Sequence, residues 1–267
     1  MKFNIQALIL LLSPLWFATN GQAFDPDDVQ QLLTTNECPG CDLRGADLGG
    51  AQLAGANLFE ANLGEAFLRQ ADLRSANLQR ANLYNADLGG ASMAAVNLFN
   101  ANLHNANLQR ADLREADLGQ AFLARADLRR ADLSDANLFQ ANLSQTLMEE
   151  SDLIDANLQS AFLFRANLER ADLTGANLLA ADLRGANFYD ANLTGANLLG
   201  AALVNTNIDR AQLSNTNLAG VLFQGTTLGP FICIIDRGVN CVLETDVPVP
   251  AFTPEDPFTP REDSVGQ

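Results

Sequence analysis

The sequence of 267 residues is almost without histidine, and His104 is the only one. His104 lies among asparagines and has no evident catalytic partner in the sequence. Nucleophile motifs, a glycine-rich phosphate loop and the metalloprotease pattern HExxH are also missing. Serines and threonines are scattered at positions where hydroxyl groups serve turns. These absences argue against an enzyme, and we expect no cofactor.

Basic residues are few as well. Lysine and arginine together number 16, against 32 aspartates and glutamates, so the formal net charge is −16. A surface with this charge repels nucleic acid and anionic lipid. We therefore expect no nucleic-acid partner, and no membrane contact beyond a signal peptide.

Cysteine is absent from the long middle of the chain. The four cysteines are Cys38, Cys41, Cys233 and Cys241. An oxidising compartment allows such thiols to pair, and local pairing at each end is the simplest connectivity. The Cys-Pro-Gly-Cys spacing of the first pair also leaves thiol–disulfide exchange open. A zinc site that used all four cysteines would need the two distant ends to meet, so no metal site is expected.

A five-residue repeat fills the middle of the chain. From Leu43 to Leu228 every fifth residue is bulky and apolar, and the register holds through 38 units without insertion or deletion. The typical unit is Ala-Asp/Asn-Leu-x-x, as in residues 71–75. A period of five fits neither a helix nor a flat strand. It fits a chain that turns one corner per unit and completes a coil in four units.

This motif, held over so many units, resembles that of the pentapeptide-repeat family. The resemblance implies an all-β fold, a right-handed quadrilateral β-helix of about nine and a half coils, with the leucines and alanines inside. At a spacing of about 4.8 Å per coil, the rod would be roughly 45 Å long. The cysteine pair before the first coil resembles exported members of the family. That likeness implies the periplasm or the thylakoid lumen, with an extracellular location less favoured.

The sequence outside the repeat predicts a leader, two caps and a tail. An apolar stretch after Lys2 is typical of a secretory signal peptide. Asp25-Pro26 has the form of a helix start. The expected segments are a signal peptide at 1–23, an N-terminal helical cap at 24–40, the β-solenoid at 41–230, a C-terminal hairpin cap at 231–244 and a disordered, Pro-rich, acidic tail at 245–267.

One side of the predicted coil carries an apolar residue directly after the central leucine. We call this row the corner ridge, and its members are Phe59, Phe99, Phe139, Leu179 and Leu199. The three phenylalanines recur every two coils, or about every 10 Å. The ridge is a candidate for partner binding or self-association, although single exposed apolar residues are common. Asparagines beside the ridge predict a ladder of stacked amides.

Two further surface features follow from sorting residues by a period of 20. Phe122, Phe162 and Phe164 cluster near Arg125 and Arg165 and form a second candidate contact patch. A column of aspartates on another face either binds a cation such as calcium or is a solvated acidic face. The column consists of Asp72, Asp112, Asp132, Asp152 and Asp172.

The sequence as a whole predicts a non-enzymatic, exported rod that is structural or binds another protein. The partner is an unknown protein, and the rod is a monomer or associates weakly with itself. An alternative comes from a branch of the resembled family that mimics DNA and binds topoisomerase. An acidic rod suits that mechanism, but the predicted signal peptide argues against a cytosolic target.

Overall fold

A computed structural model describes residues 24–227, together with the backbone of two strands at 231–235 and 239–243. From Glu37↔Asn57 to Asn207↔Thr227, one residue in every five forms a parallel β-bridge with the residue 20 positions later. Each coil therefore contains four five-residue units, as the period predicts. The bridges begin one unit before the predicted start at residue 41. The predicted signal peptide, the acidic tail and residues 228–230 lie outside the described residues.

Each unit places two of its five side chains inside the coil. Numbered from its small residue, the unit has inward side chains at positions 1 and 3. Leu73 and Leu133, at position 3, have no exposed surface, and neither have most of the other central residues. Three of the hydroxyl residues that replace alanine at position 1 are buried, namely Thr146, Ser151 and Thr206. Thr146 donates to the Leu143 carbonyl at 2.7 Å. The core is thus a continuous column of leucines with small residues at the corners.

The backbone explains why the unit needs Asp or Asn at position 2. In unit 71–75, the N–H groups of positions 1, 2, 3 and 5 all donate to backbone carbonyls of the same or neighbouring coils. The remaining N–H, that of Arg74 at position 4, donates to Asp72 Oδ1 at 3.3 Å. A backbone donor left without an acceptor costs stability. A short side-chain oxygen at position 2 supplies the acceptor, as in an Asx turn.

Position 5 turns the corner in a left-handed conformation. Its φ lies between +54° and +71° in units throughout the solenoid. Glycine adopts this conformation without strain, whereas other residues pay a conformational cost. At Gly175 a Cβ would in addition displace the exposed Asp155 carboxylate of the preceding coil. Gly225 stands in the same relation to Asn205.

The predicted asparagine ladder is confirmed on the face that contains Leu58. Asn137 Nδ2 donates to Asp117 Oδ1 at 2.9 Å, and Asn157 Nδ2 donates to Asn137 Oδ1 at 3.0 Å. The same bond continues coil by coil as far as Asn217. Each ladder asparagine therefore does two things: its oxygen accepts the corner N–H, and its nitrogen binds the previous coil.

A helix covers the first coil. α1 runs from Pro26–Thr35, and its N-cap residue Asp25 accepts a hydrogen bond from the Asp27 N–H at 2.9 Å. Leu32 is fully buried against the core. Asp28 Oδ2 also accepts from the Asp42 N–H at 2.7 Å, which fixes the helix to the first unit. This helix lies where the sequence predicts one.

A disulfide joins Cys38 to Cys41 at the entry to the solenoid. Cys38 takes an inward central position and has no exposed surface, while Cys41 is 7 % exposed. At the other end, β1 (Phe231–Ile235) and β2 (Val239–Leu243) form an antiparallel pair, where the sequence predicts a hairpin. Its register sets Cys233 directly opposite Cys241.

The position 2 oxygen can be tested at Asn157. Asn157→Ala removes the acceptor of the Gln159 N–H and both ladder bonds, so we expect a loss of about 1–2 kcal/mol. Asn157→Asp keeps the acceptor and loses only the donation to Asn137, so it should cost clearly less. Denaturant unfolding measures both variants. Equal losses would show that the amide ladder, rather than the corner acceptor, carries the stability.

The register of the hairpin predicts a second local disulfide, Cys233–Cys241. Cysteines directly opposite each other on antiparallel strands have the short Cα separation that a disulfide needs. Mass spectrometry of the unreduced protein should find two local links, Cys38–Cys41 and Cys233–Cys241. A link between the two ends, or free thiols at Cys233 and Cys241 after export, would contradict this prediction.

Candidate interaction surfaces

The four sides of the solenoid differ in chemistry, and we name each after its first central leucine: Leu43, Leu48, Leu53 and Leu58. The Leu43 face carries five aromatic rings on consecutive or nearly consecutive coils. We call these residues the aromatic strip: Tyr84, His104, Phe122, Phe162 and Phe164. The strip includes the patch predicted from the three phenylalanines and extends it by two rings towards the N-terminal end.

The aromatic strip is exposed and uncharged. Phe122 and Phe162 remain 52 % and 50 % exposed. From residue 82 to 164, positions 2 and 4 of this face contain no Asp, Glu, Lys or Arg. The nearest charged pairs on the face, Asp42–Arg44 and Asp182–Arg184, lie beyond its two ends. The strip is therefore an apolar stretch that is bounded at both ends by charged pairs, on a strongly acidic protein.

Two phenylalanines of the strip replace the residue that the corner needs. Phe122 occupies position 2 between Asn102 and Asn142 in the same column. Among the described residues, no side chain accepts from the N–H of Ala124 or Phe164, the position 4 residues that follow Phe122 and Phe162. Each substitution gives up a hydrogen bond worth about 1 kcal/mol and presents an apolar ring to water. Such a local cost is typical of surface that serves binding.

The N-terminal half of the strip forms a shallow groove. The Tyr84 and His104 rings are stacked, with their centroids 5.8 Å apart and their planes 3° from parallel. The side chain of the only histidine therefore rests on a tyrosine and has no acidic or nucleophilic partner among the described residues. The groove is lined by Tyr84, Asn102, His104, Phe122, Ala124 and Asn142.

Two arginines stand at the edge of the strip without an acidic partner. Arg125 donates from Nε to Gln145 Oε1 at 3.1 Å, and the Arg165 guanidinium lies over the Phe164 ring, 5.0 Å from its centroid. Within residues 24–227, neither forms an ion pair. Most other arginines of the coils do form one, so these two present positive charge that the protein itself leaves unneutralised.

The corner ridge is less exposed than the sequence suggests. Phe59, Phe99 and Phe139 are only partly exposed, while Leu199 is 41 % exposed. Phe99 leans over the next coil, where a Cβ added to Gly119 would come within 3.1 Å of the ring. Arg80 covers Phe59, with its guanidinium carbon 6.0 Å from the ring centroid. The ridge is therefore partly closed by its own neighbours.

Each Asp-Leu-Arg sequence in the solenoid forms a local ion pair. In Asp112-Leu113-Arg114, Arg114 Nε and Nη2 donate to the two carboxylate oxygens at 2.7 and 2.8 Å. These bonds hold the pKa of Asp112 below its ordinary value, although partial burial opposes them. The same pairing lowers the pKa of Asp72 beside Arg74. The other pairs of this kind are Asp42–Arg44, Asp127–Arg129 and Asp182–Arg184.

The aspartate column on the Leu53 face serves its own turns. The carboxylate oxygens of Asp132, Asp152 and Asp172 each accept from the N–H two residues onward. In the described part of the chain, these carboxylates do not bring three ligand atoms within 4.8 Å of one another. The geometry therefore accounts for the aspartates as corner acceptors.

The one group of three ligand atoms at that distance belongs to the disulfide. It comprises Asp28, Cys38 and Cys41, among residues 24–227. Both sulfurs are already bonded to each other, and both residues are buried. Thiol–disulfide exchange requires a thiolate to reach a sulfur atom. The burial of this pair therefore favours a structural role over exchange.

A second concavity lies on the corner after the Leu48 face, and it is charged. Arg129 pairs with Asp127, and Arg130 Nε pairs with Glu150 Oε2 at 2.8 Å. Because these charges neutralise one another and remain largely in water, the corner has little net attraction for a ligand. Its lining is Gln109, Arg110, Arg129, Arg130, Glu149, Glu150, Glu169 and Arg170.

Tyr84 and His104 are absent from the surface patch that the sequence predicts. Both residues share a residue class modulo 20 with Phe164, so the same sorting contained the signal. Their stacking depends on side-chain orientation, which the period does not specify. Between residues 24 and 227, no helix is long and apolar enough to span a membrane.

Comparison with known proteins gives one family. The model of the pentapeptide repeats matches in eight copies, over 38–74, 76–114, 106–145, 151–188 and 186–225. No curated protein matches the sequence. Among solved structures, the chain is similar to HetL from the cyanobacterium Nostoc sp. strain PCC 7120, a pentapeptide repeat protein involved in the regulation of heterocyst differentiation. The two are 34% identical, with a TM-score of 0.57, over 69% of this chain and 86% of HetL.

Two other structures show weaker similarity. Rfr23, a pentapeptide repeat protein from the cyanobacterium Cyanothece 51142, is 30% identical over 49% of this chain and 90% of its own, with a TM-score of 0.25. QnrB1, a plasmid-mediated fluoroquinolone resistance protein, is 17% identical over 59% of this chain and 88% of its own, with a TM-score of 0.36.

The arginine pairing predicts a measurable change at Asp112. In Arg114→Ala we expect the pKa of Asp112 to rise towards its ordinary value, because its largest stabilising contact is lost. A lowered folded-state pKa stabilises the protein above the unfolded-state value of about 3.9 and ceases to do so as the pH falls through the folded-state value. Carboxyl NMR titration measures the shift. Arg125→Ala is the control, and an unchanged pKa in Arg114→Ala would contradict the assignment.

Proposed function

Because the chain belongs to the pentapeptide repeat family, we propose that it is a non-enzymatic rod that binds a protein partner outside the cytoplasm. The observation that carries the proposal is the aromatic strip. It is an uncharged row of five rings, interrupted only at the coil of Leu143, in which Tyr84, Phe122 and Phe162 are exposed, on a protein of charge −16. Exposed apolar patches that are surrounded by polar residues are typical of protein-binding surfaces.

The fold suits a binding role because the solenoid is rigid and filled. The side chains at positions 1 and 3 fill the interior, so a partner can bind only on the outer faces. Rings held at position 2 of a β-bridge column keep a fixed spacing of about 4.8 Å per coil. A partner therefore meets a preorganised surface, which lowers the ordering cost of association.

Of the two aromatic surfaces, the strip is a better candidate for partner binding than the corner ridge, because its rings are more exposed. Phe122 and Phe162 are half exposed, whereas Phe59 and Phe99 are partly covered by Arg80 and by the approach to Gly119. The ridge borders the Leu43 face, because its residues form the corner that leads into that face. It can extend the contact area but offers fewer free ring surfaces.

Export is part of the proposal. It is supported by the apolar sequence after Lys2 and by the disulfide between Cys38 and Cys41, since disulfides persist in oxidising compartments. The periplasm and the thylakoid lumen both meet this condition. Fractionation of the native host, with a protease-protection assay, distinguishes an exported protein from a cytosolic one.

The proposed surface has a direct test in matched variants. Phe122→Asn with Phe162→Asn restores the ordinary position 2 residue of the repeat and removes both rings. Phe67→Asn is the control, because Phe67 holds the same position in its unit, is 54 % exposed and lies on the Leu48 face. The parent chain, the control and the double variant each serve as bait in extracts of the exported fraction. We expect the parent and the control to capture a specific partner, and the double variant to lose it.

Two results would contradict this proposal. If the double variant retains the partner while Phe59→Ser, Phe99→Ser and Phe139→Ser together abolish its capture, then the corner ridge is the binding surface. If all three variants retain the same partner, neither aromatic surface is used. Circular dichroism and unfolding curves establish that each variant keeps the parent fold.

A further inference from the structure

The aromatic strip and its unpaired arginines together define the chemistry of an occupant. The rings of Phe122 and Phe162 offer flat apolar area, and Arg125 and Arg165 offer positive charge at its edge without an acidic partner among the described residues. An occupant that satisfies both features has apolar, ring-containing side chains and carries carboxylates. It also has to suit the dimensions of the strip.

The strip is long and narrow. From Tyr84 to Phe164 it spans four coil steps, or about 19 Å, and the face is about 10 Å wide. Its area of roughly 200 Å² is well below the roughly 800 Å² per partner that a stable protein dimer buries. The strip alone is therefore too small to hold a second rod. A single extended segment of chain that runs along the rod axis fits its shape.

We propose that the C-terminal segment of this chain, residues 244–267, docks along the aromatic strip. The segment contains five prolines, six aspartates and glutamates, and two phenylalanines, Phe252 and Phe258. Proline-rich segments favour the extended polyproline II conformation, and aromatic-lined grooves are a recurrent site for binding it. The composition of the segment thus matches both features of the strip.

The segment is long enough to reach the strip. The strip extends from about 14 Å to about 34 Å from the last coil on the Leu43 face, that is, three to seven coil steps. Twenty-four residues in polyproline II conformation extend about 74 Å. The two phenylalanines are six residues apart, or about 19 Å in this conformation, which equals the span from Tyr84 to Phe164.

Charge complementarity favours the contact. The acids Glu255 and Asp256 lie between Phe252 and Phe258, and on the strip Arg125 and Arg165 lie between the coils of Tyr84 and Phe164 or at their edge. Ion pairs at an exposed edge are individually weak. Covalent attachment offsets this weakness, because a tethered segment has an effective concentration in the millimolar range.

This proposal rests on the proposed function in one respect, namely that the same strip is a binding surface. A docked segment would cover the strip and compete with a partner protein for it. The test requires no partner, so its failure leaves the capture experiment unaffected, and failure of the capture experiment leaves this test unaffected.

The experiment uses the full chain with a photo-crosslinking benzoylphenylalanine in place of Phe122. After irradiation and reduction, trypsin cleavage after Arg237 and Arg261 releases peptide 238–261. We expect this peptide to be joined to the strip in molecules of monomer mass, at a yield at least about fivefold above that with the crosslinker at position 67. Phe67 is the matched control because it is equally exposed on a different face.

A charge exchange checks whether the two arginines pair with the acids of the segment. In the chain that carries the crosslinker at 122, Arg125→Glu with Arg165→Glu should lower the yield at least about threefold. The further changes Glu255→Arg and Asp256→Arg should restore it; because an arginine at position 255 adds a trypsin site, the crosslinked peptides 238–255 and 256–261 are then counted together. Neither pair of changes affects the buried core, so loss of the fold is not an expected cause.

Three outcomes would overturn the proposal. A crosslink of dimer mass would assign the strip to a second copy of the chain. Equal yields at 122 and 67 would show that the segment does not prefer this face. A yield unaffected by the charge exchange would show that the two arginines have no part in holding the segment.

Discussion

The structure depends on giving every backbone N–H in a coil an acceptor. In units such as 71–75, four of the five N–H groups find a carbonyl, and the fifth, at the corner, relies on the side chain at position 2. This single requirement explains why Asp or Asn recurs every five residues. It also fixes the direction of that side chain, so its second polar atom faces the neighbouring coil. The asparagine ladder is therefore a consequence of the corner bond. The same asparagines that accept the corner N–H also link adjacent coils.

The same requirement makes departures from the pattern informative. An apolar residue at position 2 gives up the corner bond and, because the position faces outward, gains only partial burial. Phe122 and Phe162 depart in this way two coils apart on one face, whereas on the Leu48 face Phe67 and Leu147 do so four coils apart. Neighbouring position 4 residues complete the row, with Tyr84 stacked on His104. The clustering on the Leu43 face is what distinguishes a binding surface from scattered exposed residues, and it makes Phe67 a suitable control.

The period alone predicted much of this architecture, because inward and outward positions alternate within a fixed unit. The 20-residue coil, the buried leucines and the ladder follow from the register. The relative exposure of the two aromatic surfaces did not follow, since it depends on how side chains lean between coils. Phe99 reaches over Gly119, and Arg80 lies over Phe59, so the ridge is partly covered. Sequence sorting gives the column of a residue but not its rotamer, and for the same reason it gave no partner for His104.

The charge of the protein has a similar local explanation. Many of its aspartates are corner acceptors, and those followed two residues later by arginine form ion pairs on their own unit. That pairing lowers their pKa values, and the arginine on the same unit neutralises each charge locally. An excess of acidic residues of this kind reflects the hydrogen-bonding needs of the corners, and it does not by itself imply that the protein mimics nucleic acid. The arginines that escape such pairing are then the more informative charges, and Arg125 and Arg165 lie beside the exposed rings, where an acidic, extended segment would find both apolar contact and neutralising charge.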